Sequence, residues 1–515
     1  MAADKVAGMG RIAVIGAGMG AMAAAARLAV AGHRVVVYER AETYGGSVGR
    51  FERDGFAFDT GPGLLTLPAV YRDLFVKTGR QPLEESVGLV QVDPSAHHVF
   101  ADGTRVSLPN ASRAGVLSAL DEALGAGAGA RWGDFLVRAR EAWDRARRPL
   151  LEEPLWPNWP VLAERDPYPS VPHKKLLRTR RAGTLAEVAA WELRDARLAA
   201  LLESHALAYG LDPRVTPASA AVLPYMEHAF GTWYVRGGVR ELARAVYERC
   251  VARRVEFRFG TPVGRIVEKD GRAVGVEVSP DGAGASGPGT GPFEEADFVV
   301  AGVAPGVLEG LLHGTVIRSG DDVPERSGGA SRLTVLLALR GARPAGTAHR
   351  TVVHTADRDG ELEGIFGERP GPPVAPTVVV SRPDDPVLVP DSGHEAVTLT
   401  VTVPSGAPVR EADVERVIDT AGRALPGLRD RLLWHEVRTP ADVARATGAA
   451  GGAVPAPALA AADGLLLHPS NSTRLPGLFT AGGWAHPGGG LPHAGMSGAL
   501  VAGLIVEGPD FRGSQ

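Results

Sequence analysis

The chain has 515 residues, 44% hydrophobic and 22% charged, a balance typical of a globular protein with room for two or three domains. With 55 Lys and Arg against 59 Asp and Glu the net charge is −4, which leaves no basic field for nucleic acid. The only cysteine, Cys250, excludes an intrachain disulfide, an iron–sulfur cluster and a cysteine-based zinc site, and it fits a reducing, cytoplasmic compartment.

The pattern at the start of the chain is the most specific one. Arg11-Ile-Ala-Val-Ile15 is a short β-branched run, so a buried strand is expected. Gly16-Ala17-Gly18-Met19-Gly20-Ala21 follows, and a helical pattern runs from there to Ala31, with Gly32 suited to end it. Residues 33–38 read as a second strand and lead to Glu39. In such a strand–helix–strand unit Gly16 permits the tight turn, Gly18 lets the backbone approach a pyrophosphate, and Ala21 lets helix and strand pack closely. The helix N-terminus presents free N–H groups to phosphate, and Glu39 can accept hydrogen bonds from ribose hydroxyls. NAD and FAD both fit this unit. NADP does not, because its 2′-phosphate would meet the Glu39 carboxylate.

Three further blocks choose between the two cofactors. Gly45-Gly46-Ser47-Val48-Gly49-Arg50 leads to Gly55-Phe56-Ala57-Phe58-Asp59-Thr60-Gly61-Pro62. Leu223-Pro224-Tyr225-Met226-Glu227 leads to Gly231-Thr232-Trp233-Tyr234 and Gly237-Gly238. Near the end stands Gly482-Gly483-Trp484-Ala485-His486-Pro487-Gly488-Gly489-Gly490-Leu491-Pro492. In this order the blocks resemble the carotenoid (phytoene) desaturase-like family, within the wider amine oxidase-like group of FAD-dependent flavoenzymes. The resemblance covers nearly the whole chain.

The resemblance implies FAD, held by Gly16, Gly18, Gly20, Ala21, Glu39, Arg40, Gly45, Gly46, Ser47, Arg50, Gly61, Pro62, Val263, Gly482, Gly483, Gly490, Leu491 and Pro492. It also implies an α/β fold: a Rossmann-like FAD domain interleaved with an α+β substrate domain that contains an antiparallel sheet and a helical region. The expected FAD segments are 1–65, 226–305 and 456–515, and the expected substrate segments are 66–225 and 306–455. Three residues depart from the family pattern. Ser47 stands where Arg or Lys is usual. Gly483 stands where many related flavoproteins carry an acid for the ribityl chain. His493 stands where a small or apolar residue is expected.

Strand-like runs at 255–259, 264–269, 273–278 and 298–301 are expected to complete the FAD domain, with the glycine-rich tract 281–291 as a loop. Residues 66–225 read as mostly helical, and runs at 333–339, 377–381 and 396–403 as the antiparallel sheet. The apolar stretch 494–505 reads as a helix whose positive N-terminal end would face the flavin. No apolar run approaches the ~20 residues of a membrane span. The segment 150–182 combines Trp156 and Trp159 with a basic run at 173–181. It suits either a lipid headgroup zone or an ordinary solvated face.

The activity implied is desaturation of a long apolar polyene: a hydride leaves to flavin N5, then a neighbouring proton is lost. The cation-like intermediate is acidic, so a weak base suffices, and holding the C–H bond in place and excluding water are the main tasks. Candidate polar residues are Glu227 as proton acceptor, Tyr234 as a channel wall and His493 beside the flavin or substrate. Each can equally be read as structural. No metal-ligand spacing is present. The expected partners are an apolar small molecule, an electron acceptor such as oxygen or quinone, and a peripheral membrane surface. The same scaffold also suits a polyene isomerase, saturase or oxidase, an amine oxidase-like enzyme, or a non-catalytic binder of FAD or pigment.

Overall fold

Five short strands from distant parts of the chain form one parallel sheet, in the spatial order Glu256–Arg258, Arg34–Tyr38, Arg11–Ile15, Phe298–Ala301, Leu478–Thr480. Strands buried on both faces need near-continuous apolar sequence, and RIAVI, RVVVY and FVVA supply it. Alternate residues serve two cores. Val14, Val37 and Val300 face the helices Met19–Val30, Arg240–Ala252 and Leu491–Glu507. Ile15, Tyr38 and Val299 face a small antiparallel sheet of Val263–Lys269, Arg272–Val278 and Phe293–Glu295. The computed structural model describes residues 9–172, 179–279, 291–312 and 329–513. Most of the expected basic run 173–181, residues 173–178, and most of the glycine-rich tract, residues 281–290, lie outside the described residues.

The opening helix and the last long helix meet backbone to backbone. The first, MGAMAAAARLAV, presents almost no side-chain bulk. A Cβ at Gly20 would lie 2.6 Å from Cα of Gly482, and one at Gly498 would lie 2.7 Å from the backbone nitrogen of Ala24. Small residues on both helices therefore let the two ends of the polypeptide share one core.

A second sheet has seven strands, in the order Leu432–Arg438, Ala330–Arg340, His394–Pro404, Val378–Ser381, Arg350–Val353, Ala96–Val99, Arg105–Leu108. One face packs Val335, Leu337, Leu399 and Val401 against Val414, Val417 and Ile418 of the helix Glu411–Ala421. The sheet is mixed rather than antiparallel, because Arg350–Val353 runs parallel to Ala96–Val99. Two of its strands come from the segment read as mostly helical. Their core sequence, Ala96-His97-His98-Val99, hides its apolar character behind two histidines, yet His98 is buried, bonded at 3.0 Å to His354 and stacked on Phe100. The rest of that segment is largely helical. Arg113–Leu124, Ala128–Arg147, Ala196–Ala208 and Val222–Phe230 gather Leu120, Trp132, Phe135, Leu201, Leu202 and Leu223 into a separate core.

Candidate cofactor and substrate site

The first turn leaves its helix end open. Gly16 takes φ +90°, and a side chain there would crowd the carbonyl of Gly302, 3.1 Å from its Cβ. Gly18 occupies the N-cap of Met19–Val30 with no side-chain cap, and a Cβ built on it would meet nothing within 4 Å. Unsatisfied N–H groups and the positive helix end thus face open space, the arrangement that takes a phosphate. Glu39, at the end of the second strand, is buried. Its Oε2 accepts from the Ala17 N–H at 2.7 Å and its Oε1 from the Ala41 N–H at 2.8 Å, leaving a second lone pair on each oxygen.

The second glycine pair lies on the first loop. The Gly45 N–H donates to the Ala17 carbonyl at 2.8 Å, and a Cβ at Gly46 would lie 3.1 Å from Cα of Gly18. Ser47, Gly61 and Pro62 are exposed on the same stretch, and a Cβ at Gly61 would collide with the Ser47 carbonyl. Two side chains hold this stretch. The Arg240 guanidinium donates to the carbonyls of Tyr44 and Val48 and to Oγ1 of Thr43, and lies 4.1 Å from the centre of the Tyr44 ring. The Asp59 carboxylate accepts from the N–H groups of Val239 and Arg240, at 2.7 and 3.1 Å, and so caps Arg240–Ala252 from outside its own sequence. Burial pushes the Asp59 pKa up to about 6 against those two bonds. Arg40 turns away from the loop, donating to the carbonyls of Arg445 and Ala446 at the end of the helix Pro440–Thr447. Arg50 lies between Glu52, at 2.8 Å, and Glu241, at 3.6 Å. Val263 is half-buried and opens its strand opposite Val278.

The C-terminal glycine block joins from the other side. The Gly482 N–H donates to Oγ of Ser497 at 3.0 Å. The Asn471 side-chain amide donates to the same oxygen at 3.1 Å, to the Thr480 carbonyl at 3.1 Å and to the His486 carbonyl at 2.8 Å. Asn471 and Ser497 stand in no sequence pattern, because their partners lie on other elements. Gly483 packs against Pro455 and Gly489, which leaves no space for an acid there. Gly490, at φ +106°, caps Leu491–Glu507 without a side chain, Pro492 occupies its first turn, and the Tyr71 hydroxyl donates to the Leu491 carbonyl at 2.8 Å. A second uncapped helix N-terminus is therefore fixed beside the first.

The three candidate polar residues have different surroundings. Glu227 makes a two-pronged ion pair with Arg350, at 3.0 and 2.5 Å, and lies 3.7 Å from Nε2 of His205. Burial alone would raise its pKa, but Arg350 outweighs that and holds the carboxyl well below the usual range. Tyr234 donates its hydroxyl to Asp385 at 2.8 Å, the same oxygen that accepts the Gly237 N–H at 2.6 Å. Burial and that bond push its pKa up, so it stays a phenol. His493 instead lines an apolar cleft with Trp143, Leu150, Leu223, Met226 and Leu459. Its Nδ1 is 3.2 Å from where a Gly490 Cβ would be, at the open end of the helix.

The glycine loop with an empty face, the buried acceptor Glu39 and two uncapped helix ends fit a dinucleotide that carries a flat, electron-accepting ring. The model of flavin containing amine oxidoreductases matches residues 22–506. A 4,4′-diapolycopene oxygenase of Methylomonas is 27% identical over 509 residues, covering 96% of this chain and 98% of that protein. A hydroxyneurosporene desaturase of Rhodobacter capsulatus is 30% identical over 517 residues, covering 96% and 97%. Among solved structures, an oxidoreductase from Methanosarcina mazei shares the fold, with a TM-score of 0.65 at 17% identity over 95% of this chain and 99% of its own. The chain belongs to the flavin containing amine oxidoreductase family and, within it, to the FAD-dependent oxidoreductases that resemble carotenoid desaturases.

Proposed function

We propose that the protein desaturates a long apolar polyene of the carotenoid type, with segments 1–65, 226–305 and 456–515 serving the cofactor and 66–225 and 306–455 the substrate. The observation that carries this reading is the cradle of open glycine turns with its two uncapped helix ends, beside which the apolar side chains of Trp143, Leu150, Leu223, Met226 and Leu459 gather with His493 around a small cleft. The full-length likeness to a hydroxyneurosporene desaturase and a diapolycopene oxygenase supports it. Bound FAD supplies the acceptor for the hydride that leaves an allylic carbon.

The chain's own residues do the rest. The Gly16–Gly20 turn and Glu39 hold the dinucleotide, and the Gly482 and Gly490 backbone borders the ring. Trp143, Leu150, Leu223 and Met226 keep water from the reacting carbons, so a cation-like polyene is not trapped as an alcohol. Glu227 stays anionic behind its ion pair, and the Tyr209 hydroxyl stays protonated, pushed up to about 12 by burial and then by the charge on Glu227. Because Arg350 already answers its charge, Glu227 is assigned a structural role, and the high acidity of the carbon beside the cation lets any weak acceptor take the proton.

The helix Leu155–Glu164 exposes Trp156 and Val161, each 63% accessible, and is the part of the chain we assign to a lipid surface. No helix among the described residues is long and apolar enough to cross a membrane. Peripheral attachment would supply both the substrate and a quinone acceptor, with dioxygen as the competing acceptor. Co-expression with a polyene-producing pathway tests the activity. The expected product has lost hydrogen and absorbs further to the red, whereas an oxygenated or isomerised product overturns desaturation. Flotation with liposomes tests the surface, and a Trp156→Ala, Val161→Ser variant is expected to lose most of the binding.

A further inference from the structure

The seven-stranded sheet has one face packed under the helix Glu411–Ala421 and a second face turned the other way. Side chains alternate along a strand, so on Ala330–Arg340 the second face carries Arg332, Thr334, Leu336 and Ala338. Leu336 and Ala338 are buried in one cluster with Phe56 and Phe58. Arg332 and Thr334 are only half-buried, as are Thr402 and Thr400 opposite them on His394–Pro404. This face thus passes from an apolar core to a polar, partly accessible wall.

Neutral groups alone hold the Arg332 guanidinium in that wall. Nη1 donates to the Ser331 carbonyl at 3.2 Å and to Oγ1 of Thr402 at 3.3 Å, and Nη2 donates to the Ala208 carbonyl. Thr402 gives its own hydrogen to the Leu207 carbonyl at 2.8 Å, so toward the arginine it can only accept. Among the described residues no carboxylate pairs with Arg332, and its Nε–H and second Nη2–H make no hydrogen bond. The other charges on this face cancel. Arg350 is answered by Glu227, and Arg438 and Glu436, opposite Thr334 and Leu336 on the neighbouring strand, are one of each sign. Burial drops the Arg332 pKa to about 10, so the group stays charged at physiological pH. A cation drawn out of water without a counter-charge is costly, and a ligand is the partner still to come.

One three-residue segment, Ala208–Gly210, ties this cation to the cradle. Nη1 of Arg332 lies 3.8 Å from where a Gly210 Cβ would be, and the Tyr209 ring lies 3.8 Å from where a Gly490 Cβ would be, at the uncapped end of Leu491–Glu507. We propose that Arg332 binds a carboxylate, and that the molecule taken beside the Gly490 loop is a long apolar chain ending in an acid. The inference rests on the reading above that the sheet walls the substrate space, and it narrows the substrate class. A carboxylate brings one negative charge and two coplanar oxygens, which match one unanswered guanidinium with two N–H groups to spare. A hydroxyl or a carbonyl would bond without answering the charge. A phosphate dianion would bring a second charge that no free cation here meets, and an amine would be repelled.

The test uses the FAD-loaded protein without oxygen and three ligands: a linear polyene carboxylic acid, its methyl ester and the parent hydrocarbon. Quenching of tryptophan fluorescence reports binding. The wild type is expected to bind the acid at least about tenfold more tightly than the ester, the effect of charge-assisted hydrogen bonds. Arg332→Leu is expected to bring that ratio close to one. Arg332→Lys, which keeps the charge and loses the fork, is expected to retain part of the preference, and the flavin content of each variant reports intact folding. Equal affinities for acid and ester in the wild type overturn the carboxylate assignment whatever the variants do, and binding of the hydrocarbon then leaves the polyene reading in place. A lower flavin midpoint potential in Arg332→Leu with an unchanged acid-to-ester ratio also overturns it, by giving the guanidinium to the flavin. If a saturated fatty acid is preferred over its ester and no polyene binds, the carboxylate site stands and the polyene reading falls.

Discussion

The cofactor cradle and the polar cluster of the substrate side are built on opposite principles. In the cradle the backbone does the work. Gly16, Gly18, Gly46, Gly482 and Gly490 matter for the side chains they lack, and the open helix ends wait for a ligand. Where the segments assigned to cofactor and substrate meet, the ionisable residues already have partners: Glu227 and Tyr234 of the one have Arg350 and Asp385 of the other, and His98 has His354 within the substrate segments. The contrast teaches that a reactive-looking side chain in this fold is most often spent on structure, and that the groups held open for a ligand in the cradle are backbone N–H groups.

Breaking the Glu227–Arg350 pair tests that view most severely. Arg350→Leu leaves a carboxylate without its cation and is expected to cost about 3–5 kcal/mol in chemical denaturation, with the Glu227→Leu, Arg350→Leu double variant recovering much of the loss. A Glu227→Gln variant that stays folded but loses all turnover would instead make Glu227 a participant in the chemistry.

Next in size is a pH effect. Burial, partly offset by the bond to the Glu153 carbonyl, lowers the His486 pKa to about 3. Between pH 6.5 and about 3 the unfolded chain binds a proton that folded His486 refuses, so its contribution to stability is present above pH 6.5 and is lost as the pH falls. His486→Gln is therefore expected to reduce the acid-side slope of stability by roughly 1.4 kcal/mol per pH unit, measured by denaturant titration from pH 7 to 4. A slope equal to that of the wild type would mean the ring is not buried neutral.

Two glycines sharpen the comparison within the cradle. Gly20→Val forces a side chain into Gly482 and the Ala494 carbonyl and is expected to cost about 1–3 kcal/mol and the bound flavin together. Gly18→Ala has space for its methyl group and φ −73°, so stability without cofactor should change by less than about 0.5 kcal/mol while FAD affinity falls. Equal loss of stability in both would remove the distinction between packing and ligand glycines. For Tyr234→Phe about 1 kcal/mol of stability is expected to be lost with turnover and flavin affinity retained, because Asp385 keeps the Gly237 N–H.

These contrasts also explain what the sequence reveals. The glycine loop, Glu39, the apolar strands and the C-terminal helix are legible because their physics is local: a turn, a period, a helix end within a few residues. Asp59 capping a helix 180 residues away, Arg240 gripping the Tyr44 carbonyl and Asn471 bracing Ser497 are illegible, because each partner is set by the tertiary fold. The strand at Ala96–Val99 is hidden for the same reason, since His98 becomes a core residue only through His354. His493 departs from the family pattern, and only the fold shows that it is buried among apolar side chains.

The most direct measurement mixes the purified, oxidised flavoprotein with a phytoene-type polyene in the absence of oxygen and follows both chromophores together. Bleaching of the flavin band in step with a red shift of the polyene is the predicted result. An unbleached flavin in the presence of bound polyene, with bleaching by simple amines instead, would contradict polyene desaturation.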